Sequence, residues 1–141
     1  MTSVGFYRIN GNAEARRPLV CQLTAKAFNQ GMNVLILTEN TVQTLEFDEL
    51  LWSFNHSGFL PHVQGTETDG PISITHEDNP GHHHGLLINL QAEIPGWLAS
   101  FERAIEIIFD DQEVIQQKRL NFEFYKNRGY PLKFYDLSNK A

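Results

Sequence analysis

Apolar residues fall in short blocks along this chain, and the period of the blocks changes from one to the next. Val4–Ile9 is strand-like. Gly11–Pro18 is polar and reads as a loop, with Pro18 suited to the first turn of a helix. From Leu19 to Gln30 the apolar residues Leu19, Val20, Leu23, Ala27 and Phe28 recur at helical spacing, and Gly31 ends the pattern. Val34-Leu35-Ile36-Leu37 is a continuous apolar run of the kind found in strands buried on both faces. A second helix is predicted over Thr41–Trp52, then an irregular stretch, Phe54–Pro61, with exposed-looking aromatics. Short strands are predicted at Ile72–Ile74 and Leu86–Leu90, separated by a polar loop over Glu77–Gly85. Gly96–Phe101 has room for one helical turn, and Arg103–Phe109 is expected to be the last strand. A terminal helix is predicted over Asp111–Asn127, closed by Gly129 and Pro131. Strands alternating with helices imply a single-domain α/β sandwich over residues 1–141, Rossmann-like, with a mainly parallel sheet.

Composition narrows this picture. The chain has 141 residues, 41% hydrophobic and 20% charged, which is the profile of a globular protein able to bury a core without metals or disulfides. The one cysteine, Cys21, lies inside the first helix and reads as a buried, inert thiol suited to a reducing compartment. No basic-then-apolar leader opens the chain, and no apolar run approaches the ~20 residues of a membrane span. We expect a cytoplasmic protein with no membrane partner.

Charge is unevenly spread. Net charge is −6, which argues against direct binding to a nucleic-acid backbone. Residues 1–114 carry 5 Lys+Arg against 15 Asp+Glu (−10), whereas residues 115–141 carry 6 against 2 (+4). A basic end on an acidic body fits a docking site for something acidic; it equally fits a last helix with solvated charge.

Catalytic signatures are missing from the sequence. The first strand-to-helix loop, Asn10 to Arg17, has one glycine where a dinucleotide fingerprint needs three, and there is no GxxxxGK[ST] loop. No serine lies in a GxSxG elbow. His82-His83-His84 matches no zinc pattern; neighbouring histidines in an extended loop point apart, and a flexible polar loop is the expected structure. Asp110-Asp111 reads as an acidic helix start. No catalytic residue, metal site or cofactor is implied.

Two segments stand out. Leu51 to His62 sets Trp52, Phe54, Phe59 and Leu60 beside Ser, Gly and Pro; such aromatics either plug a core edge or anchor a partner. On the terminal helix Ile115, Lys118, Arg119, Phe122, Tyr125 and Lys126 fall within about 120° of arc. That face suits an acidic peptide ending in a hydrophobic residue, with an arginine fork for the terminal carboxylate. The competing reading makes Phe122 and Tyr125 core and leaves the cations in water.

Together these residues resemble the chi subunits of DNA polymerase III holoenzyme. The resemblance rests on Phe6-Tyr7, Val20-Cys21-x-Leu23, Gly31-x-x-Val34-Leu35-Ile36, Leu50-Leu51-Trp52 and Phe59-Leu60-Pro61-His62. It continues through Pro71-Ile72-x-Ile74, Leu87-Ile88-Asn89-Leu90, Phe101-Glu102-Arg103 and Phe124-Tyr125-Lys126-x-x-Gly129-Tyr130-Pro131-Leu132. It implies a non-enzymatic adaptor that pairs with the psi subunit, is tied through psi to the clamp loader, and binds the acidic C-terminal tail of the single-stranded-DNA-binding protein. It implies a psi contact at Phe59, with Trp52, Leu60 and Pro61 around it. It implies a tail site on Arg119 and Phe122, with Ile108 at the pocket wall. The family pattern has lysines where this chain has Ile115 and Glu123, and Lys118, Lys126 or Arg128 are the candidates to replace them. An enzyme on a nucleotide-binding-like fold and a direct nucleic-acid binder are the competing classes.

Overall fold

In a computed structural model, which describes residues 1–54, 60–67 and 70–138, one seven-stranded sheet organises the chain. Its strands are β1 (Ser3–Arg8), β2 (Val34–Leu37), β3 (His62–Gln64), β4 (Ile72–Thr75), β5 (Leu86–Asn89), β6 (Arg103–Ile108) and β7 (Leu132–Asp136). Their order is β3-β4-β2-β5-β6-β1-β7, and every pairing is parallel. Among the described residues three α-helices accompany them, α1 (Arg16–Asn29), α2 (Thr41–Phe54) and α3 (Gln112–Asn127), with short 3-10 turns at Ala13–Ala15 and Leu98–Ser100. Among the described residues no helix is long and apolar enough to cross a membrane.

Alternation along the strands builds a core on each face of the sheet. Val34, Ile36, Leu86, Ile88, Ile105 and Ile107 pack with Val20, Cys21 and Ala27 of α1 and Phe47 and Leu51 of α2. Leu35, Leu37, Leu87, Val4 and Phe6 point the other way and meet Tyr125, Phe122 and Ile115 of α3. Strands covered on both sides must be apolar on both, which is why β2 reads Val-Leu-Ile-Leu without alternation.

The structure departs from the sequence expectations at the edges of the sheet. Arg103–Ile108 is a strand but not the last, because β7 pairs with β1 beyond the terminal helix. β3, three residues long, also escapes the pattern. Both are edge strands, and β7 is largely exposed, so neither needs the apolar run that marks a central strand. The first helix begins at Arg16, three residues before the expected start, which puts Pro18 in its first turn. The second runs two residues further, to Phe54. Gly31 and Gly129 end α1 and α3 at φ of +80° and +77°.

Gly85, at the entrance to β5, is fixed by space. A Cβ there would lie 2.3 Å from the Asn33 carbonyl oxygen, which already accepts the Leu86 amide. Gly85→Ala is expected to destabilise the protein by about 1–3 kcal/mol, because backbone must shift to admit one methyl. Urea denaturation of the two proteins measures it.

Candidate functional site

Helix α3 is set by its cap. Asp111 accepts the amides of Glu113 (2.9 Å) and Val114 (3.2 Å), the N-cap role expected of an acidic helix start. Asp110 does something else: its carboxylate takes the Gly11 amide at 2.8 Å and the Arg8 guanidinium at 2.7 Å. The Gly11 amide and then the Arg8 guanidinium hold the Asp110 carboxyl below the usual carboxylate range. The amide that opens the first strand-to-helix loop is thus satisfied by the chain's own carboxylate.

The inner side of α3 rests on a buried polar network. Glu106 of β6 is 0% exposed. It accepts Lys118 Nζ at 2.6 Å, the Tyr125 hydroxyl at 2.8 Å and Asn89 Nδ2 at 3.2 Å. Lys118 Nζ also donates to the Gln91 carbonyl at 2.7 Å. Burial first, and the Glu106 charge second, raise the Tyr125 phenol, so it stays a donor. Tyr125, which the sequence left open between a binding face and the core, is core.

The flank of α3 next to β1 and β7 forms a pocket of about 350 Å³. Ile108, Ile115, Phe122 and Phe134 make apolar walls, and Arg8, Lys118, Arg119, Asp136 and Ser138 supply polar groups. Phe122 is held edge-on against Phe6, with ring centroids 5.2 Å apart. Of the six residues expected to form a tail site, Ile108, Ile115, Lys118, Arg119 and Phe122 line this one cavity, and Lys126 does not. Arg119 is exposed, and among the described residues its guanidinium has neither an ion pair nor a hydrogen bond. The ammonium of Lys118, by contrast, is already held by Glu106. Arg8 was missed in the sequence because β1 lies far from α3 in the chain, and Phe134 because the edge strand β7 that carries it gives no strand pattern. Asp136 faces the pocket as a carboxylate, held low by the Ser138 hydroxyl and then the Ser138 amide.

The second expected site lies at the far edge of the sheet. Trp52 is 56% exposed at the end of α2, and its ring lies 4.4 Å from that of His62. His62 is a buried strut: Nδ1 lies 2.6 Å from the Leu60 carbonyl and Nε2 lies 2.9 Å from the Asp48 carbonyl. Leu60 is core, at 1% exposure, so its side chain holds the segment rather than facing outward. Pro61 is half-buried. Phe59 lies outside the described residues, as does the rest of 55–59.

The remaining candidates are structural. The rings of His82 and His83 stack at 5.1 Å instead of pointing apart. His83 is buried, its Nε2 lying 2.7 Å from Ser73 Oγ, because Gly81 turns the loop back over β4 at φ +60°. Among the described residues no group of three or more His, Cys, Asp or Glu side chains is placed to hold a metal ion. Cys21 is buried, and desolvation pushes its thiol up to about 11.

Comparison with known proteins points in one direction. The family model described as DNA polymerase III chi subunit, HolC, matches residues 1–133. A Pseudomonas aeruginosa protein named DNA polymerase III subunit chi is 38% identical over 134 residues, covering 94% of both chains. A Haemophilus influenzae protein of the same name is 33% identical over 118 residues, covering 81% of this chain and 82% of the relative. The Escherichia coli protein of that name is 23% identical over 141 residues, covering 94% and 96%.

Proposed function

This chain belongs to the DNA polymerase III chi subunit family, and from that premise we propose that it is a non-catalytic adaptor of the replicative holoenzyme with two separate docking sites. One takes the acidic C-terminal tail of the single-stranded-DNA-binding protein. The other takes the psi subunit and, through it, the clamp loader. The chain works in the cytoplasm as one Rossmann-like domain and needs no direct contact with nucleic acid.

The observation that carries the tail site is Arg119. Among the described residues it is an unengaged guanidinium, beside an apolar pocket made by Ile108, Ile115, Phe122 and Phe134. A peptide ending in a hydrophobic residue needs both parts: apolar walls for the side chain and a fork for the terminal carboxylate. Ile115, standing where the family pattern has lysine, adds to the walls. Glu123 and Asp136 place negative charge nearby and favour a tail whose last residue, rather than its whole acidic run, makes the contact.

The psi site is centred on Trp52 and the Phe59–Pro61 segment. Large aromatics dominate such interfaces once desolvated. Because the two sites lie on different helices near opposite edges of the sheet, their losses should be independent. Trp52→Ala is expected to weaken binding of the host's psi subunit by at least tenfold while leaving tail-peptide affinity unchanged. Arg119→Ala is expected to do the reverse. Calorimetric titration of both variants with both partners is the test. Equal loss of both partners in either variant, with the fold intact, would contradict the two-site arrangement.

A further inference from the structure

One face of the sheet stays open where β1, β6 and β7 run side by side. A trough of about 350 Å³ lies over them, and its lining residues come from these three strands and Pro131, with none from a helix. Gly5 forms part of the floor. It stands inside β1, paired with Ile105 of β6 on one side and Lys133 of β7 on the other. A glycine within an interior strand costs stability, and it marks places where a ligand or another backbone comes close. Crowding does not require it here: a Cβ at Gly5 would make ordinary contacts, 3.5 Å from Tyr135 and 3.6 Å from Tyr7. Those two rings stack at 4.7 Å and wall one end of the trough. Burial first, and Tyr135 second, raise the Tyr7 phenol against the pull of Arg103, so it stays a neutral donor.

Charge identifies what the trough takes. Among the described residues its charged lining is Arg103 and Lys133, and the side chain of neither makes an ion pair or a hydrogen bond. Other cations of the chain are neutralised: Arg8, Arg16, Arg17 and Lys118 each rest on a carboxylate. Two unneutralised cations facing one cavity, in a protein of net charge −6, call for an anion. The sheet register sets their backbones roughly 12 Å apart, one on each side of β1, so both long side chains reach an anion held above Ser3 and Gly5. The exposed Ser3 hydroxyl adds a donor between them, and the stacked tyrosines add a wall for a planar group. From these observations we propose that the trough binds a free nucleoside monophosphate, its base against the Tyr7–Tyr135 pair and its phosphate between Arg103 and Lys133. A single strand of nucleic acid would carry further phosphates over a body whose residues 1–114 hold −10, whereas one phosphate needs only the two cations. The trough lies on the face of the sheet, not in the crevice at the strand ends that parallel sheets ordinarily use, so the fold alone does not imply it. It also lies on the opposite face of β7 from the tail pocket, since Lys133 and Tyr135 alternate with Phe134.

The test is an amide NMR titration of the full-length chain with adenosine monophosphate, and separately with inorganic phosphate, adenosine and a single-stranded oligonucleotide. The monophosphate is expected to give saturable shifts at Gly5, Arg103 and Lys133, with phosphate or adenosine alone binding about tenfold more weakly or worse. Lys133→Glu and Arg103→Glu should each lower the affinity about tenfold or more, and the loss should shrink in high salt. Gly5→Val fills the trough and should abolish the shifts at Arg103 and Lys133. Were that variant not to fold, Lys133→Glu, an exposed change on an edge strand, would still decide the matter. No saturable shifts with the monophosphate, or shifts that survive both charge reversals, would overturn the proposal. Inorganic phosphate binding as tightly as the monophosphate would reduce the trough to an anion patch and overturn the nucleoside assignment. An oligonucleotide that bound more tightly than the monophosphate through the same residues would make a strand the occupant and overturn it as well.

Discussion

Lys118→Met is expected to destabilise the protein by about 3–5 kcal/mol, the cost of leaving a buried carboxylate without its counter-charge. Glu106 has no access to water, and three donors from two elements converge on it: Lys118 and Tyr125 of α3 and Asn89 of β5. Methionine matches the lysine stem in length, so packing changes little and the loss is electrostatic. The expectation becomes sharper in a cycle. Glu106→Leu/Lys118→Met removes both charges, and it should recover a large part of the loss. Recovery stays incomplete because the Tyr125 hydroxyl and Asn89 amide lose their shared acceptor. Thermal or urea unfolding of wild type, both single variants and the double variant measures it. A single-variant loss below about 1 kcal/mol would mean that Glu106 finds another partner or a proton. The network matters for function because it fixes the rotation of α3, and with it the direction in which Arg119 and Phe122 point.

The largest expected effect on binding is at Arg119. Arg119→Ala should reduce affinity for the acidic tail peptide by about 2 kcal/mol or more, roughly thirtyfold, since a carboxylate loses its guanidinium partner. The protein's melting temperature should not change, because Arg119 makes no internal ion pair or hydrogen bond among the described residues. Arg119→Lys should recover only part of the affinity: an ammonium keeps the charge but cannot offer two parallel N–H groups. Lys118→Gln gives a contrasting result. It is expected to lower stability much more than tail affinity, because its ammonium already belongs to Glu106. Calorimetry against the same peptide, with melting curves alongside, separates the two outcomes.

How far the sequence could take this depended on local signals. The central strands were legible because β2, β4 and β5 are buried throughout and therefore mainly apolar, with Ser73, Thr75 and Asn89 the buried polar exceptions. Helix α3 was legible from its Asp111 cap, its period and the glycine after it. β7 was not, since Leu132-Lys133-Phe134-Tyr135-Asp136 is mostly exposed and its partner, β1, lies more than a hundred residues away. That miss propagated to the pocket, whose Phe134 wall and Asp136 carboxylate come from β7. The helical wheel grouped Ile115, Arg119 and Phe122 correctly. It left open whether Tyr125 was core and gave no sign that Lys118 is buried, because no periodicity can reveal a glutamate waiting on the neighbouring strand. At the psi surface the segment stood out by composition, yet Leu60, one of its expected contacts, turns into the core.

The most direct measurement is a calorimetric titration of the full-length chain with a peptide copying the acidic C-terminus of its host's single-stranded-DNA-binding protein, in low and high salt. Saturable one-to-one binding that weakens with salt and is lost in Arg119→Ala is the expected result, and it places the site in the pocket between α3 and β7. Absence of saturable binding in low salt, or binding that Arg119→Ala leaves untouched, would contradict a tail site in this pocket.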